Sequence, residues 1–387
     1  MKANLLFLLL LLCPFAASAQ DVEAWAGVPI HFDTAGARSL AMGATTVAVT
    51  NEPSLVSSNP ASLASIGKRT FAAEYRSRTT RAQYFSGASW TNFDTTQANI
   101  TSATLVLPQQ GVTWAAFFDE PQHSAQNNGL LPINSTLFIP ARVFTQLQRY
   151  GLGAGWKRGN LSAGATVHYD SMRMQSSRYV MAPQPNTIPY TEILYANDNA
   201  IAWNAGLQWQ AAPAVTVGAV YARGAQFDVQ RQAFGYFDGV PVPTVQWTYH
   251  TPSSMGVGAA WNGVPNLTVA ADAVRINYQE MTPQVFIVGS LPPVLMREAT
   301  ELHAGAEYRV TPHVAVRAGW WRDPAHGPAP YSLWVLLPEI RASLQPDVDQ
   351  DHVTAGVGIG TERLRFDAAY DHSERTRRAS FGIATTF

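Results

Sequence analysis

The stretch from Glu301 to Pro324, ELHAGAEYRVTPHVAVRAGWWRDP, alternates with a period of two on both sides of a Thr311-Pro312 turn. Leu302, Ala304, Ala306, Tyr308 and Val310 share one face, and Glu301, His303, Gly305, Glu307 and Arg309 share the other. After the turn, Val314, Val316, Ala318 and Trp320 oppose His313, Ala315, Arg317 and Gly319. Successive side chains of a strand point to opposite faces, so this is a hairpin with one apolar and one polar side. The apolar side carries no charge. That suits a wall facing lipid, where a charge at mid-membrane costs about 2–4 kcal/mol.

The same pattern recurs along the chain. Leu161 to Asp170, Ile201 to Trp209, and Arg363 to Asp371 all alternate in this way. Connections between such segments sort by length. Those at 108–110, 158–160, 211–213, 262–265, 311–312 and 361–362 are short, whereas those around 120–141, 175–195, 229–243, 281–297 and 323–350 are long. Short turns at one end and long loops at the other predict an all-β antiparallel transmembrane barrel. The last strand, Ala379 to Phe387, places Phe381, Ile383, Thr385 and Phe387 on one face and ends on an aromatic residue. This ending resembles the signal read by the barrel-assembly machinery, a partner expected during biogenesis.

Composition agrees. Charged residues make up 14% of the chain and aromatic residues 11%, where soluble domains carry roughly 25% charged residues. Lys2, an apolar run from Leu5 to Leu12, and Ala17-Ser18-Ala19 read as a secretory signal peptide over 1–19. The single cysteine, Cys13, falls inside it, so no disulfide or Cys-ligated metal is expected beyond it. Net charge is −1 and no basic stripe points to nucleic acid.

Residues 20–67 lack the alternation of the strands. They form a tail and then a small-residue segment from Thr34 to Ile66, TAGARSLAMGATTVAVTNEPSLVSSNPASLASI, broken by Pro53 and Pro60. Ala35 to Val49 suits either one helical turn or a short strand. The order A-R-S-L-A-M-G, then N-P-A-S-L-A, then strands resembles the FadL family of outer-membrane transport proteins for hydrophobic compounds. The usual family pattern is nearer G-A-R-x-x-x-x-G-G-A and N-P-A-G-L; here Ala44 and Ser62 replace two of the glycines. The resemblance continues through Ser254 to Ala259, Leu267 to Tyr278, His303 to Pro324 and Pro346 to Gly360.

It implies an N-terminal hatch inside the lumen of the barrel formed by 68–387. Gly36, Arg38, Gly43, Asn59, Pro60 and Ala61 are then candidates for hatch seating and gating. Strand candidates number fifteen if Thr80 to Phe93 is included. A barrel with both ends on one side needs an even number, so that segment is assigned to loop or merged with its neighbour. The expectation is then 14 strands, as in the family.

The charges on the polar face, Glu301, Glu307, Arg309, Arg317, Arg363, Arg365, Asp367 and Asp371, are candidates for an ionic network in the lumen that holds the hatch or binds a ligand carboxylate. The alternating glycines of Gly151 to Gly155 and Gly356 to Gly360 leave a smooth wall on which a hatch can pack. Asp347 to Asp351 lacks the glycine and glutamate of a calcium loop and reads as solvated. His168 and His303 have no G-x-S-x-G or H-E-x-x-H context, so no enzyme, metal or cofactor is expected. The expected function is passive uptake of hydrophobic small molecules, long-chain fatty acids or aromatic hydrocarbons, across the outer membrane with its lipid and lipopolysaccharide. Apolar loop stretches at 130–133 and 286–288 would collect them. The alternative is a docking or shuttle barrel of a secretion system, with a protein partner. A plain polar porin does not fit a plugged lumen.

Overall fold

The computed structural model describes residues 32, 36–86, 89–132, 138–180, 190–234, 236–237, 240–241, 245–281, 296–326 and 348–387. The segment assigned to a signal peptide, the loop stretch at 286–288 and Asp347 lie outside them.

One closed antiparallel sheet accounts for most of the molecule. Its strands are β1 Thr70–Ser86, β2 Ser89–Pro108, β3 Val112–Pro132, β4 Phe138–Arg158, β5 Leu161–Val180 and β6 Tyr190–Ala212. Strand β7 is broken into Val215–Ala222 and Gln226–Phe234, and β8 into Val245–His250 and Ser254–Val264. Then come β9 Leu267–Ile276, β10 Ala299–Thr311, β11 Val314–Asp323, β12 Gln350–Gly360, β13 Leu364–His372 and β14 Thr376–Thr386. The 16 sheet segments are therefore 14 strands, and β1 pairs with β14 from Thr70–Thr386 to Thr80–Thr376 to close the ring. At the level of the short turns every strand has a neighbour on both sides, which a sheet in lipid requires. Among the described residues, no helix is long and apolar enough to cross a membrane.

The faces divide as the alternation predicts. Ile201 is 75% exposed on the outside and Leu152 68%, whereas their strand neighbours Ala202 and Gly153 turn inward and are buried. Of the two options for Thr80 to Phe93, loop or merger with a neighbouring strand, the structure adopts the merger: β1 runs on through Ser86 and β2 begins at Ser89. Likewise much of 120–141 and 175–195 is strand. These extensions stand beyond the apolar belt and so lack its alternation.

Inside the ring, residues 36–66 form helix α1 (Ala37–Ala41) and two 3₁₀ turns, Pro53–Ser57 and Pro60–Ser65. The helical option for Ala35 to Val49 is the one adopted. Glycines in the wall let this segment lie directly against the strand backbone. Gly155, Gly164 and Gly206 stand side by side on β4, β5 and β6. A Cβ on Gly164 would sit 2.3 Å from the Pro60 carbonyl oxygen, and one on Gly155 2.7 Å from Leu63 Cβ. Gly305 and Gly319 pair across β10 and β11 beneath Met42 and Gly43.

A Gly164→Val substitution should therefore unseat the hatch without opening the sheet. We expect a folded, heat-modifiable barrel with raised single-channel conductance in planar bilayers. Wild-type conductance would show that the hatch does not depend on this contact.

Candidate functional site

An irregular segment within a barrel must find partners for its backbone amides and carbonyls. Here side chains from the inner wall supply them. Asp272 Oδ2 on β9 accepts hydrogen bonds from the amides of Thr46 (2.6 Å) and Val47 (3.0 Å). Gln208 on β6 donates to the carbonyls of Val47 and Val49, both at 3.0 Å. Thr354 on β12 accepts from the Gly43 amide (3.0 Å) and donates to the Ala41 carbonyl (3.1 Å). His303 Nδ1 lies 2.9 Å from the Gly43 carbonyl oxygen. Glu74 on β1 accepts from the Ala37 amide at 3.0 Å. Asn204 Nδ2 donates to the Ser57 carbonyl.

Gly36 and Gly43 have positive φ, 102° and 66°, a region that favours glycine. Gly43 is also sterically fixed, because a Cβ would meet the Ala304 carbonyl oxygen at 2.3 Å. Asn59 is completely buried. Its extended backbone is what a residue before proline prefers. Its Oδ1 caps the second 3₁₀ turn by accepting from the Ala61 amide at 3.1 Å, and its Nδ2 donates to the Val47 carbonyl at 2.6 Å. One amide side chain thus ties the two halves of the hatch together. Pro60 occupies the first position of that turn, where its missing N–H has no cost.

Four of the charged candidates meet in one chain of ion pairs. Arg38 Nε and Nη2 grip the two Glu307 oxygens at 2.8 and 2.9 Å. Arg317 Nε reaches the same carboxylate at 2.7 Å, and its Nη1 lies 2.7 Å from Asp367 Oδ1 as an ion pair. Arg365 joins Asp367 (2.6 Å) to Glu52 of the hatch (2.6 Å). The chain therefore leaves the hatch at Arg38, crosses β10, β11 and β13, and returns to the hatch at Glu52. Burial works against the Arg38 charge, yet Glu307 and Glu52 outweigh burial and hold its pKa above the ordinary arginine value.

The other candidates stand apart. Glu301 pairs with His303 (3.3 Å), and Asp371 with His352 (2.9 Å) and Arg378 (2.8 Å). Arg309 and Arg363 are exposed at the short-turn end, where both line a cavity of about 580 Å³ between hatch and wall. Sequence reading missed Glu52, Glu74, Asn204, Gln208, Asp272 and Thr354. The signal for the wall residues was available: they are polar side chains at inward positions of the alternation.

Above the hatch, toward the long loops, the lumen holds an apolar cluster. Leu147, Met172, Met174, Phe227, Tyr249 and Met281 belong to it and are at most 1% exposed. The wall beside it is incompletely zipped. β2 and β3 pair only between Ser102–Asp119 and Pro108–Thr113. Beyond that point β3 bulges at Glu120-Pro121, and a proline has no N–H to give the ladder. Across the gap the Glu120 carboxylate accepts from Asn99 of β2, while on the other side it accepts from Gln146 (2.8 Å) and Gln148 (2.7 Å) of β4. No His, Cys, Asp or Glu group suited to a metal ion occurs among the described residues.

Glu307→Gln should loosen the hatch, since uncoupling a buried ion pair costs about 3–5 kcal/mol. The expected result is faster hydrogen exchange at the amides of 37–50, partly restored in the Arg38→Met/Glu307→Gln double variant. Unchanged exchange would remove the ion chain from hatch seating.

Solved structures share this architecture. A FadL homologue of Pseudomonas aeruginosa superposes with a TM-score of 0.70 at 14% identity, covering 96% of this chain and 99% of that one. The Ralstonia pickettii toluene transporter TbuX gives 0.64 at 15% identity, with 93% and 100% covered. The Pseudomonas putida toluene transporter TodX gives 0.64 at 14%, with 92% and 99% covered. No family model matches the sequence, and no curated protein matches it. A 14-stranded barrel closed by β1 and β14 around an N-terminal segment is thus the fold this chain shares with FadL-type transporters.

Proposed function

We propose that the protein is a bacterial outer-membrane channel for passive uptake of hydrophobic small molecules, with residues 36–66 as its gate. The observation that carries this reading is the buried cluster of methionine and aromatic side chains directly above a hatch that is bonded to the wall. Methionine is flexible and polarisable, so such a cluster can repack around varied apolar guests. A polar porin would have no use for it. The ligand class is long-chain fatty acids or aromatic hydrocarbons, in keeping with the toluene transporters that share the fold. No catalytic step, cofactor or energy source takes part; the ligand moves down its gradient when the hatch shifts population. The seam between β2 and β3, bridged by the Glu120–Asn99 contact where the ladder stops, offers a path sideways out of the lumen.

Native mass spectrometry of the full chain, challenged with oleate and toluene, tests the reading together with planar-bilayer recording. The expected result is saturable retention of one ligand class, weakened at least tenfold by deleting residues 34–64, with a leaky pore in the deletion. Empty protein with a stoichiometric protein partner would favour the docking reading instead.

A further inference from the structure

A second gap interrupts the wall, between β6 and β7. The lower segment of β7 pairs with β6 from Ala212–Val215 to Asn204–Ala222, and the upper segment only from Tyr195–Gln230 to Thr191–Phe234. Between them, residues 196–203 of β6 face 223–229 of β7. Among the described residues, one backbone hydrogen bond spans this stretch, from the Arg223 amide to the Trp203 carbonyl at 3.0 Å. Asp198 supplies a substitute: its Oδ2 accepts from the Asp228 amide at 2.8 Å.

The gap has a structural cause. β7 breaks at Arg223-Gly224-Ala225 and β8 at Thr251-Pro252-Ser253, side by side. The Thr251 amide donates to the Ala225 carbonyl at 2.9 Å, and the Ala225 amide to Thr251 Oγ1 at 2.7 Å. Gly224 is required here, because a Cβ would lie 1.8 Å from the Thr251 carbonyl oxygen. The two strands therefore kink as a pair. Their upper segments carry Phe227, Val229 and Tyr249 into the luminal cluster and leave β6 behind.

The gap is also hollow. A cavity of about 410 Å³ is lined by Ala196 and Asp198 of β6, Asp228 and Val229 of β7, and Gln246 of β8. Ala196 and Val229 belong at once to this cavity and to the buried apolar cluster. Its outer lips, Asn197, Asp228 and Gln230, are polar and exposed. Ile201 and Trp203, further down β6, are exposed and apolar. The mouth thus lies just above the lipid-facing belt.

We propose that this gap is a side door through which small hydrophobic molecules pass from the polar zone above the belt into the methionine-rich cluster. It is separate from the β2–β3 seam, and the proposal rests on the uptake reading above. Widening it requires the loss of the Asp198–Asp228 contact and leaves the paired β7–β8 ladder intact.

The test locks the door. Asn197 and Asp228 continue the Tyr195–Gln230 register, and the chain's single cysteine is Cys13. An Asn197→Cys/Asp228→Cys variant of the full chain, held in amphipol, is mixed with the uncharged fluorophore N-phenyl-1-naphthylamine. Tryptophan-to-probe energy transfer is followed by stopped flow. We expect the oxidised form to take up the probe at least tenfold more slowly than the reduced form, with the same final amplitude. Equal rates would overturn the side door while leaving the uptake reading standing. Absence of saturable transfer in the wild type would defeat both. An Ile193→Cys/Gln232→Cys pair, placed where the ladder already exists and away from the cavity lining, should leave the rate unchanged; equal slowing there would overturn the proposal. If the first pair does not fold, Asn197→Cys carrying a bulky methanethiosulfonate label replaces it. Slower uptake is expected from the labelled protein, and an unaltered rate overturns the door.

Discussion

An irregular peptide can sit inside a barrel only if its polar backbone is satisfied there. This constraint shapes the inner wall. Asp272, Gln208, Thr354 and Glu74 are each inward-facing, and each directs its polar atoms to hatch amides or carbonyls. Such adapters need the hatch at hydrogen-bonding distance, which the glycines beneath Pro60, Met42 and Gly43 allow. Glycine in a strand weakens it, yet the ladder is continuous through these positions. The weakening is thus tolerated where it brings two backbones together.

The ion chain from Arg38 to Glu52 has another role. A buried ion pair is seldom a net gain over apolar packing, but its disruption is costly. A contact of that kind specifies a position more than it adds stability. Glu307 is shared by a hatch arginine and a wall arginine, and Asp367 by two wall arginines. The hatch thus contributes a partner at each end of the chain, Arg38 at one and Glu52 at the other.

Much of this was legible in the sequence, because a lipid-facing strand obeys a strict rule. Leu302, Tyr308 and Val310 had to be outward, and they are exposed. The rule lapses outside the belt. There the outward face need not be apolar, so the extensions of β1, β2, β3 and β5 were not legible, and the even strand count alone left Thr80 to Phe93 as loop or as part of a neighbouring strand. Asn59 and Gly43 stood out because proline and glycine leave a local mark. The partners of the hatch did not, since Gln208 and Asp272 are ordinary inward polar residues until the hatch is laid over them. Arg363 was grouped with Arg365 because the alternation puts both on the polar face, but it falls in the turn, where the chain reverses and the wall ends.

The two weak places in the wall belong to the same half of the barrel. From β9 through β14 and on to β1, each neighbouring pair is joined by at least eight residue pairs. The gaps fall between β2 and β3 and between β6 and β7, each next to a break that the sequence specifies, Pro121 in one case and Gly224 in the other. The ion chain, by contrast, is anchored on β10, β11 and β13. The barrel thus divides its labour. The charged part of the hatch is pinned to one arc, and the other arc is interrupted beside the apolar cluster. Met172 on β5 and Phe227 on β7 belong to that cluster, so the apolar part of the lumen lies against the interrupted arc and the charged part of the hatch against the other.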